Sequence, residues 1–434
     1  MHRIIAITAL LIFLTATPAM ADRTVVGTGD PTMDVRNVQA AVKEGGQILL
    51  RGRFNFGQDG RVNITKSVRI LGERDGSGDP KTRITGGFWT FYSPLPVKDA
   101  PPASTGPIIA IHDIHFDGAK GTPLHFPLVG GLDVRGCLVT DVAPQEINIT
   151  WNDGETLLFQ AGIVVGNRLD SPKRRIKRAA TGTLTVADNR FFMETAKPDR
   201  TAGYGIMADW TWGADLKLTG NIIHRASRNG IEALDNTLGP KGEGSIAIDR
   251  NRIITAEEGI PYPHKYGPNG IVAGWYFSTT GGVEFSKNNR ITLNGNRIEG
   301  RGDLSTGMLL YSNDVVATCN DIIMAGGSQA RGIVQTGSRG FFANNRVRGE
   351  ARYAIWCHPF EALKASANTF AWTDLNDFTG VKGQVLLAGT VNVIIGRVPA
   401  LVDKGKGNRV VETKPCALPE ADPEGDAWEP VSTQ

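Results

Sequence analysis

Three carboxylates near the middle of the chain are spaced as acid–base chemistry would need them. Asp209 and Asp235 fall on neighbouring units of a sequence repeat, and Glu232 lies close before Asp235. Paired carboxylates on adjacent units can act as the acid and the base of glycoside hydrolysis. The same oxygens can instead hold a hard cation such as calcium, which takes several oxygen ligands. The sequence leaves both chemistries open and indicates no other cofactor.

A third chemistry needs a base of a different kind. A polysaccharide lyase removes a proton beside a uronate carboxylate, and an imidazole or cationic side chain serves it well. His264 and Lys265 are the candidates that we add to the catalytic set, and His224, Arg225 and Arg228 lie on nearby turns. The alternative for each of these residues is a solvated turn residue that satisfies local backbone.

Aromatic and amide side chains accompany the carboxylates. Aromatic faces that pack on sugar rings, flanked by hydrogen-bonding groups, are typical of carbohydrate recognition. The alternative is that the aromatic rings pack under inserted loops. The candidate substrate-binding residues are Trp210, Asn236, Trp275, Tyr276, Tyr311, Asn313 and His358.

These residues need elements to position them, and a sequence repeat supplies those elements. The repeat reads apolar, any, apolar, two small or polar residues, Asn, any, apolar. The last four asparagines follow one another after 24, 25 and 23 residues, and earlier units carry insertions. The repeated asparagines are Asn189, Asn221, Asn251, Asn296, Asn320, Asn345 and Asn368.

A second short strand accompanies each unit and begins with a glycine or alanine followed by aliphatic residues. Gly205-Ile206, Gly230-Ile231 and Gly270-Ile271 are examples. Short strands of alternating polarity joined by polar turns indicate β-structure. Units of near-constant length are expected to stack as coils about 4.8 Å apart, so that each asparagine hydrogen-bonds to the next.

Aligning the Gly-Ile strands places the candidate residues in outward-facing rows. One row is predicted to hold Asp209, Leu234, Gly274, Tyr311, Thr336 and His358. The next two rows are predicted to hold Trp210, Asp235 and Trp275, and Asn236, Tyr276 and Asn313. A slip of one residue would turn every side chain to the opposite face, so the site depends on this alignment.

An open stack of coils needs a cap at its end. The segment 34–43 predicts a short amphipathic helix that ends at Gly45-Gly46, and strands follow at 47–51 and 68–72. The series VQAAVKEGGQILLRGRFNF, then VNITKSVRILGE, resembles the N-terminal cap and first coils of the pectate-lyase-like right-handed β-helix superfamily. The later GI…NRI units are similar to the parallel β-helix repeats of that group.

The resemblance implies an all-β fold, a single-stranded right-handed parallel β-helix (solenoid) with an N-terminal capping helix and an asparagine ladder. It implies no single chemistry, because many activities share this scaffold. We predict a signal peptide over 1–21, the cap and first coils over 22–100, coils over 101–390, and a partly disordered extension over 391–434. Insertions are expected near 140–183 and 257–286.

The ends and the bulk composition indicate the compartment and the partners. A basic start, an apolar run over 4–15 and the triplet Ala19-Met20-Ala21 are typical of a secretory signal, so we expect a periplasmic or secreted protein with no membrane insertion after cleavage. The net charge of +3 gives no argument for a nucleic-acid partner. The basic segment 173–178 can attract an anionic polymer or be solvated. Cys137, Cys319, Cys357 and Cys416 leave any pairing open.

Two functions remain from the sequence. The first is an exported carbohydrate-active protein that acts on or binds an extracellular or envelope polysaccharide by lyase, hydrolase or epimerase chemistry. The second is a non-catalytic periplasmic or surface β-helix protein that binds glycan, is structural or serves as an accessory factor. Carboxylate and basic groups that converge in a groove would favour the first, and an aromatic and polar strip without them would favour the second.

Overall fold

The computed structural model describes residues 23–95, 106–148, 156–166, 180–194, 201–239, 241–257, 267–274, 290–360, 363–371, 384–395 and 400–411. The chain in these ranges winds into successive coils, and equivalent strands of successive coils pair in parallel. A typical coil consists of Asp215–Thr219, Ile222–Ala226 and Asn229–Leu234, one strand for each of three sheets. The predicted right-handed parallel β-helix is confirmed.

Sheet 1 contains the strand of each coil that precedes the asparagine turn, and sheet 2 the strand that follows it. The strands of sheet 1 are Arg23–Val26, Gly46–Arg51, Val68–Leu71, Ile108–His112, Gly131–Arg135, Thr183–Ala187, Asp215–Thr219, Ser245–Asp249, Ile291–Asn294, Val316–Thr318, Phe341–Ala343, Thr369–Ala371, Val393–Ile395 and Arg409–Val411. Those of sheet 2 are Arg53–Asn55, Thr82–Thr85, Ile114–Asp117, Leu138–Thr140, Arg190–Phe192, Ile222–Ala226, Arg252–Thr255, Arg297–Gly300, Asp321–Met324 and Arg346–Gly349.

Sheet 3 completes each coil and contains the Gly-Ile strands. A hairpin strand, Gln145–Asn148, pairs antiparallel with the fourth of its coil strands. The coil strands are Val62–Asn63, Phe91–Tyr92, Leu124–Phe126, Thr156–Val165, Thr201–Ala208, Asn229–Leu234, Asn269–Gly274, Thr306–Tyr311, Arg331–Gln335, Tyr353–Cys357, Gln384–Leu387 and Leu401–Asp403.

The predicted capping helix is present and begins three residues earlier than expected, at Pro31–Glu44. The Asp30 side chain accepts the Met33 N–H at 2.8 Å and caps the helix, and Gly45 ends it at a φ of 77°. Inside the helix, the buried Asp34 carboxylate accepts the backbone N–H of Thr28 at 2.7 Å and of Asn55 at 2.8 Å. These hydrogen bonds fix the cap to the first coil.

The interior of the coils is a stack of aliphatic and aromatic side chains. On sheet 3, Ile206, Ile231 and Ile271 pair directly, one above another, and all three are buried. Full burial of each such side chain contributes about 1.5–3 kcal/mol. Because each coil buries its apolar face against the coils on either side, the stack has one continuous core.

The recurring glycine has a steric cause. Gly230, Gly270 and Gly307 lie where the chain enters sheet 3, against the aliphatic side chain of the following coil in sheet 2. A Cβ atom built on Gly270 would lie 2.4 Å from Cγ2 of Ile298 and 2.6 Å from the Gly307 carbonyl oxygen. No larger residue fits, so the glycine marks the corner between sheets 2 and 3.

The asparagine ladder is confirmed at the corner between sheets 1 and 2. The Asn251 carboxamide oxygen accepts both the N–H and the side-chain NH₂ of Asn221, each at 3.0 Å. Its own NH₂ donates to the Leu218 carbonyl at 2.8 Å and to Asn296 at 3.0 Å. The same pattern joins Asn189 through Asn345, so these buried amides are satisfied along the stack.

Asn368 does not belong to this ladder, which corrects the sequence prediction. It precedes the strand Thr369–Ala371, which pairs with Phe341–Ala343 of sheet 1, so it lies at the corner between sheets 3 and 1. There it starts a second ladder of the same geometry with Asn392 and Asn408. Its sequence environment matches the repeat because both corners place an asparagine just before an apolar strand.

Coils also continue past residue 390, where we expected the C-terminal extension to begin. Val393–Ile395, Leu401–Asp403 and Arg409–Val411 add strands to sheets 1 and 3. The second ladder accompanies them, which explains how coils this short stay in register. The Cys137, Cys319 and Cys357 thiols are free. None of the helices in the described ranges is long and apolar enough to span a membrane.

We predict that Asn251→Ala destabilises the protein far more than removal of an exposed asparagine does. The substitution leaves the buried Asn221 N–H without an acceptor, and such a group costs about 1–3 kcal/mol. Urea unfolding followed by circular dichroism measures the shift in midpoint. Asn294→Ala is the control, because Asn294 is exposed on sheet 1. Equal midpoints for the two variants would contradict the role of the ladder.

We predict that Gly270→Ala lowers the unfolding midpoint, because the new methyl group collides with Ile298 and with backbone. Overpacking of this kind costs about 1–3 kcal/mol. Gly76→Ala is the control, since a Cβ atom there meets nothing within 4 Å. Differential scanning calorimetry compares the two variants with the parent, and a Gly270→Ala variant as stable as Gly76→Ala would refute the steric account.

Candidate functional site

The strand alignment that we used to place the candidate residues is confirmed. Leu234 pairs with Gly274, and Gly274 pairs with Tyr311. Met207 pairs with Glu232 in the neighbouring coils. The candidates therefore lie along sheet 3 and along the corner that leads from sheet 3 to sheet 1.

Asp209 is fully buried, which corrects its expected position on an outward-facing row. One of its carboxylate oxygens accepts the Leu234 N–H at 2.8 Å and so joins two coils. The alternation of a strand ends here, because the next residue, Trp210, has a φ of 60°. Asp235 repeats this left-handed conformation one coil later, and the Trp210 indole N–H lies 3.4 Å from its carboxylate. Asp209 is buried in this corner, whereas Asp235 is partly exposed.

Asn236 and Asn313 hydrogen-bond across the same corner. Asn236 is buried, which corrects its expected outward position, whereas Asn313 is partly exposed. The Asn236 oxygen accepts the backbone N–H and the hydroxyl of Thr211 at 2.9 and 2.8 Å, and its NH₂ donates to the Ala208 carbonyl. The Asn313 oxygen accepts the Ser338 N–H at 2.7 Å. These amide oxygens bridge coils.

Two further candidates differ in exposure. Tyr311 is buried and contacts the Phe360 ring, with 5.2 Å between centroids. For Tyr311, this contact agrees with the alternative to sugar binding that the sequence left open, in which the aromatic ring packs under a loop. His358 is exposed and stacks on Trp356 at 4.7 Å. The candidates His264, Lys265, Trp275 and Tyr276 lie outside the described residues.

The side chains of sheet 3 that point away from the core form one continuous row, which we call the sheet 3 row, and seven of the ten are buried. Each residue pairs directly with the next along the helix axis, and Glu232 supplies the only carboxylate of the ten. The sheet 3 row consists of Tyr92, His125, Val164, Met207, Glu232, Val272, Leu309, Val334, Trp356 and Leu386.

One amide holds Glu232, and a second amide supports the first. The Asn229 NH₂ donates to a carboxylate oxygen of Glu232, and the Asn269 NH₂ donates to the Asn229 oxygen at 2.8 Å. All three side chains are buried. The sequence predicted Glu232 but missed the two amides. The sequence signal for the two amides was the tripeptide Asn-Gly-Ile, which occurs at 229–231 and again at 269–271. The sequence alignment of the coils used the glycine and the isoleucine of this tripeptide and ignored the asparagine.

An aromatic cluster lies at the C-terminal end of the row. Trp356 stacks on His358 and lies 5.4 Å from Tyr353, while the Arg331 guanidinium lies 5.0 Å from the Trp356 ring centre. Partial desolvation of the imidazole and the nearby Arg331 charge lower the pKa of His358, which favours its neutral form. Trp356 and Tyr353 are partly exposed and present a flat apolar surface with donors beside it.

A second aromatic cluster lies at the N-terminal end. The Arg61 guanidinium sits about equally far from three rings, 4.7 Å from Phe88, 4.9 Å from Trp89 and 5.1 Å from Tyr92. His125 is fully buried behind Trp89, with 4.4 Å between ring centroids. Burial, aided by Arg61, lowers the pKa of His125 to about 3. That imidazole is neutral at physiological pH and is suited to packing rather than to taking up a proton.

Metal-binding geometry is absent from the described part of the chain, where no group of three or more His, Cys, Asp or Glu side chains converges. The segment His112-Asp113-Ile114-His115 illustrates why. His112 contacts Asp133 at 3.0 Å on sheet 1, whereas His115 contacts the Thr140 hydroxyl at 2.9 Å on sheet 2. A corner of the coil at Asp113, between the two strands, separates the two imidazoles.

Comparison with known proteins bears on the fold. No family model matches the sequence, and no curated protein does. The chain is similar to the tailspike protein of E. coli bacteriophage HK620, described in complex with a hexasaccharide, at 13% identity over 88% of this chain and 77% of that one, with a TM-score of 0.44.

Two enzymes show similar levels of likeness. A mannuronic acid-specific polysaccharide family 6 lyase from human gut microbiota is 12% identical over 91% of each chain, with a TM-score of 0.38. DFA-IIIase from Arthrobacter chlorophenolicus A6 is 12% identical over 88% of this chain and 80% of that one, with a TM-score of 0.34. The three parallel sheets themselves confirm the pectate-lyase-like β-helix fold that the sequence resembles.

Proposed function

We propose that this protein binds a carbohydrate polymer along the outward face of sheet 3 and that Glu232 transfers a proton during its cleavage or epimerisation. The observation that carries the proposal is Glu232 itself, one carboxylate held by the Asn229 amide, which Asn269 supports, in a row that is otherwise apolar or aromatic. Burying a carboxylate is costly unless it is hydrogen-bonded. A few convergent polar groups in an apolar setting are typical of binding sites.

The dimensions of the row support a polymeric ligand. Tyr92 and Trp356 are eight coils apart, which is roughly 38 Å at the spacing of paired strands. Partly exposed aromatic rings lie at both ends, and a flat ring packs well on a sugar face. The partly exposed rings at the two ends of the row can each stack on a sugar, whereas the side chains from His125 through Val272 are buried between them.

The position of Glu232 suits either direction of proton transfer. As a base it would take the proton next to a uronate carboxylate, which leads to elimination or to epimerisation. As an acid it would protonate the glycosidic oxygen that leaves during hydrolysis. Asn229 orients the carboxylate by donating to one of its oxygens.

A second candidate function is glycan binding without catalysis. The burial of Glu232 favours it, because this carboxylate is only 3% exposed. In that case the two aromatic clusters would supply the affinity, and the carboxylate with its amides would stabilise the coil. Both functions require that the chain meet extracellular glycans, so we further propose that 1–21 directs export and that the protein is periplasmic or secreted.

We predict that Glu232→Gln abolishes activity while leaving glycan binding intact. The amide keeps the shape of the side chain but transfers no proton, and loss of a general acid or base lowers kcat by about 10²–10⁴-fold. The assay uses the full-length protein on uronate and neutral polysaccharides, with absorbance of unsaturated ends, reducing ends and NMR of epimerised residues as readouts.

The matched control for that substitution is Asp235→Asn, a carboxylate at the adjacent corner. We expect it to retain activity. Activity that survives Glu232→Gln but not Asp235→Asn would place the chemistry at the corner instead. Glycan binding with no reaction on any polysaccharide of the panel would establish the non-catalytic function.

We predict that Trp356→Ala weakens binding of the panel glycans by about tenfold, because stacking of a large aromatic side chain contributes about 0.5–1.5 kcal/mol beyond its buried area. Affinity gel electrophoresis measures the change. Phe341→Ala on sheet 1 is the control, since Phe341 is an exposed aromatic residue away from the row. An equal effect of both substitutions would contradict the assignment of the binding face.

A further inference from the structure

Two arginines accompany the aromatic rings at the C-terminal end of the sheet 3 row. We call this set the C-terminal cluster, and it consists of Arg331, Arg352, Tyr353, Trp356 and His358. Arg331 pairs directly with Tyr353 in the next coil. Three coils earlier the same position is held by Asn229, whose side chain contacts Glu232 of the row. Side chains at this position therefore reach the sheet 3 row.

Each arginine of the C-terminal cluster lies against an aromatic ring. The Arg331 guanidinium carbon is 5.0 Å from the centre of the Trp356 ring, and that of Arg352 is 5.2 Å from the centre of the Tyr353 ring. Arg352 also donates a hydrogen bond to the Gln329 side-chain oxygen at 3.0 Å. Contacts between a cation and a ring hold each guanidinium in place, but an uncharged ring or amide leaves the positive charge uncompensated.

The two guanidinium groups lack a counter-charge. In the described part of the chain, no carboxylate lies within 4 Å of Arg331 or Arg352. By contrast, Arg339, which follows the same strand as Arg331, contacts Asp314 at 2.6 Å. Burial and the nearby Arg352 charge lower the pKa of Arg331, although an arginine stays charged at physiological pH. The cluster thus concentrates two positive charges at a partly buried position.

Hydrogen-bond donors are also left over in the cluster. Nε of Arg331 and Nε1 of Trp356 are both buried, and neither has a hydrogen-bond partner in the described part of the chain. A buried donor without an acceptor is costly, and so is a partly buried charge without a partner. The side chains of the cluster therefore do not satisfy one another as a purely structural network would. What the cluster lacks is a negatively charged acceptor.

The chemistry of the cluster defines the group that fits it. Trp356 and Tyr353 are partly exposed, and a flat ring packs well on a sugar face. The fork of donors on an arginine matches a planar carboxylate, and it also binds other oxyanions. The adjacent residues of the row, Val334 and Leu386, are aliphatic. This leaves room to stack one sugar ring, whereas single-stranded nucleic acids stack successive bases on successive aromatic side chains.

We propose that the C-terminal cluster is a binding subsite for one acidic sugar unit. Trp356 stacks on the sugar ring, and Arg331 and Arg352 pair with its carboxylate or sulfate group. This inference rests on the glycan binding proposed above for sheet 3 and narrows the ligand to an anionic glycan. It involves no proton transfer and does not require Glu232 to be catalytic.

The test compares binding of tetragalacturonate and of its methyl ester to the full-length protein by isothermal titration calorimetry. The ester keeps the sugar rings and removes the negative charges. We expect the acid to bind about tenfold more tightly than the ester, because hydrogen bonds between charged groups are stronger than neutral ones. Arg331→Gln is expected to abolish this preference without changing the affinity for the ester, whereas Arg331→Lys is expected to retain part of it. Trp356→Ala is expected to weaken binding of both forms.

Further variants separate the role of the cluster from a general effect of charge or of folding. Arg352→Gln changes an exposed side chain and is also expected to lower the preference for the acid. The matched control, Arg346→Gln, removes a partly buried arginine from sheet 2 and is expected to keep the preference. An equal loss of preference in this control would overturn the proposal. Circular dichroism confirms that each variant is folded.

The remaining outcomes distinguish this proposal from the function on which it rests. Equal binding of acid and ester by the parent, with both weakened by Trp356→Ala, would overturn the acidic subsite and leave glycan binding on sheet 3. No binding of either form or of any polysaccharide on the panel would overturn both. Tighter binding of oligothymidylate than of tetragalacturonate would overturn the choice of a sugar. A sulfated tetrasaccharide that binds more tightly than tetragalacturonate, and loses that affinity in Arg331→Gln, would support the subsite and identify sulfate as its anion.

Discussion

The structure depends on the hydrogen bonds between stacked asparagines. A coil of some two dozen residues must turn at the same place in every repeat, and each turn leaves backbone donors and acceptors inside the protein. At the corner between sheets 1 and 2, an asparagine satisfies its own coil and the next one, as Asn221 does with Asn251 and with the Val186 carbonyl. Because an unsatisfied buried group is costly, this bond fixes the register of the coils from Asn189 through Asn345.

Once that register is set, the remaining corners follow from steric fit. The glycine at the entry to sheet 3 is required because a Cβ atom would meet an aliphatic side chain and a carbonyl of the next coil. The corner after sheet 3 is held differently, by side chains such as Asp209 and Asn236 that accept backbone N–H groups. Chain segments inserted at these corners change the length of a coil without disturbing its neighbours, which is why repeats of unequal length share one core.

The repeat made the fold and the strand alignment predictable, because the same local contact requires asparagine at one corner of each coil and glycine at another. The burial of a side chain at the end of a strand was not predictable from the sequence. Alternation predicted an outward Asp209, but the left-handed conformation of Trp210 ends the alternation, and the carboxylate turns into the corner. Asn368 shows the same limit, since an asparagine followed by an apolar strand fits two different corners. Only the pairing of strands distinguishes them.

The outward faces of sheets 2 and 3 carry different chemistry because the scaffold places no constraint on outward side chains beyond solubility. A stacked coil repeats whatever it presents, so a residue type that recurs at an outward position forms a line along the axis. On sheet 3 the line is apolar and aromatic, and one carboxylate with two amides interrupts it. On sheet 2 arginines recur in the line, with carboxylates such as Asp321 among them. Burial of a carboxylate works against stability unless hydrogen bonds compensate for it, and the Asn229 amide donates such a bond to Glu232. The asparagine ladder satisfies buried amides in the same way, so both features follow from the cost of leaving a buried polar group without a partner.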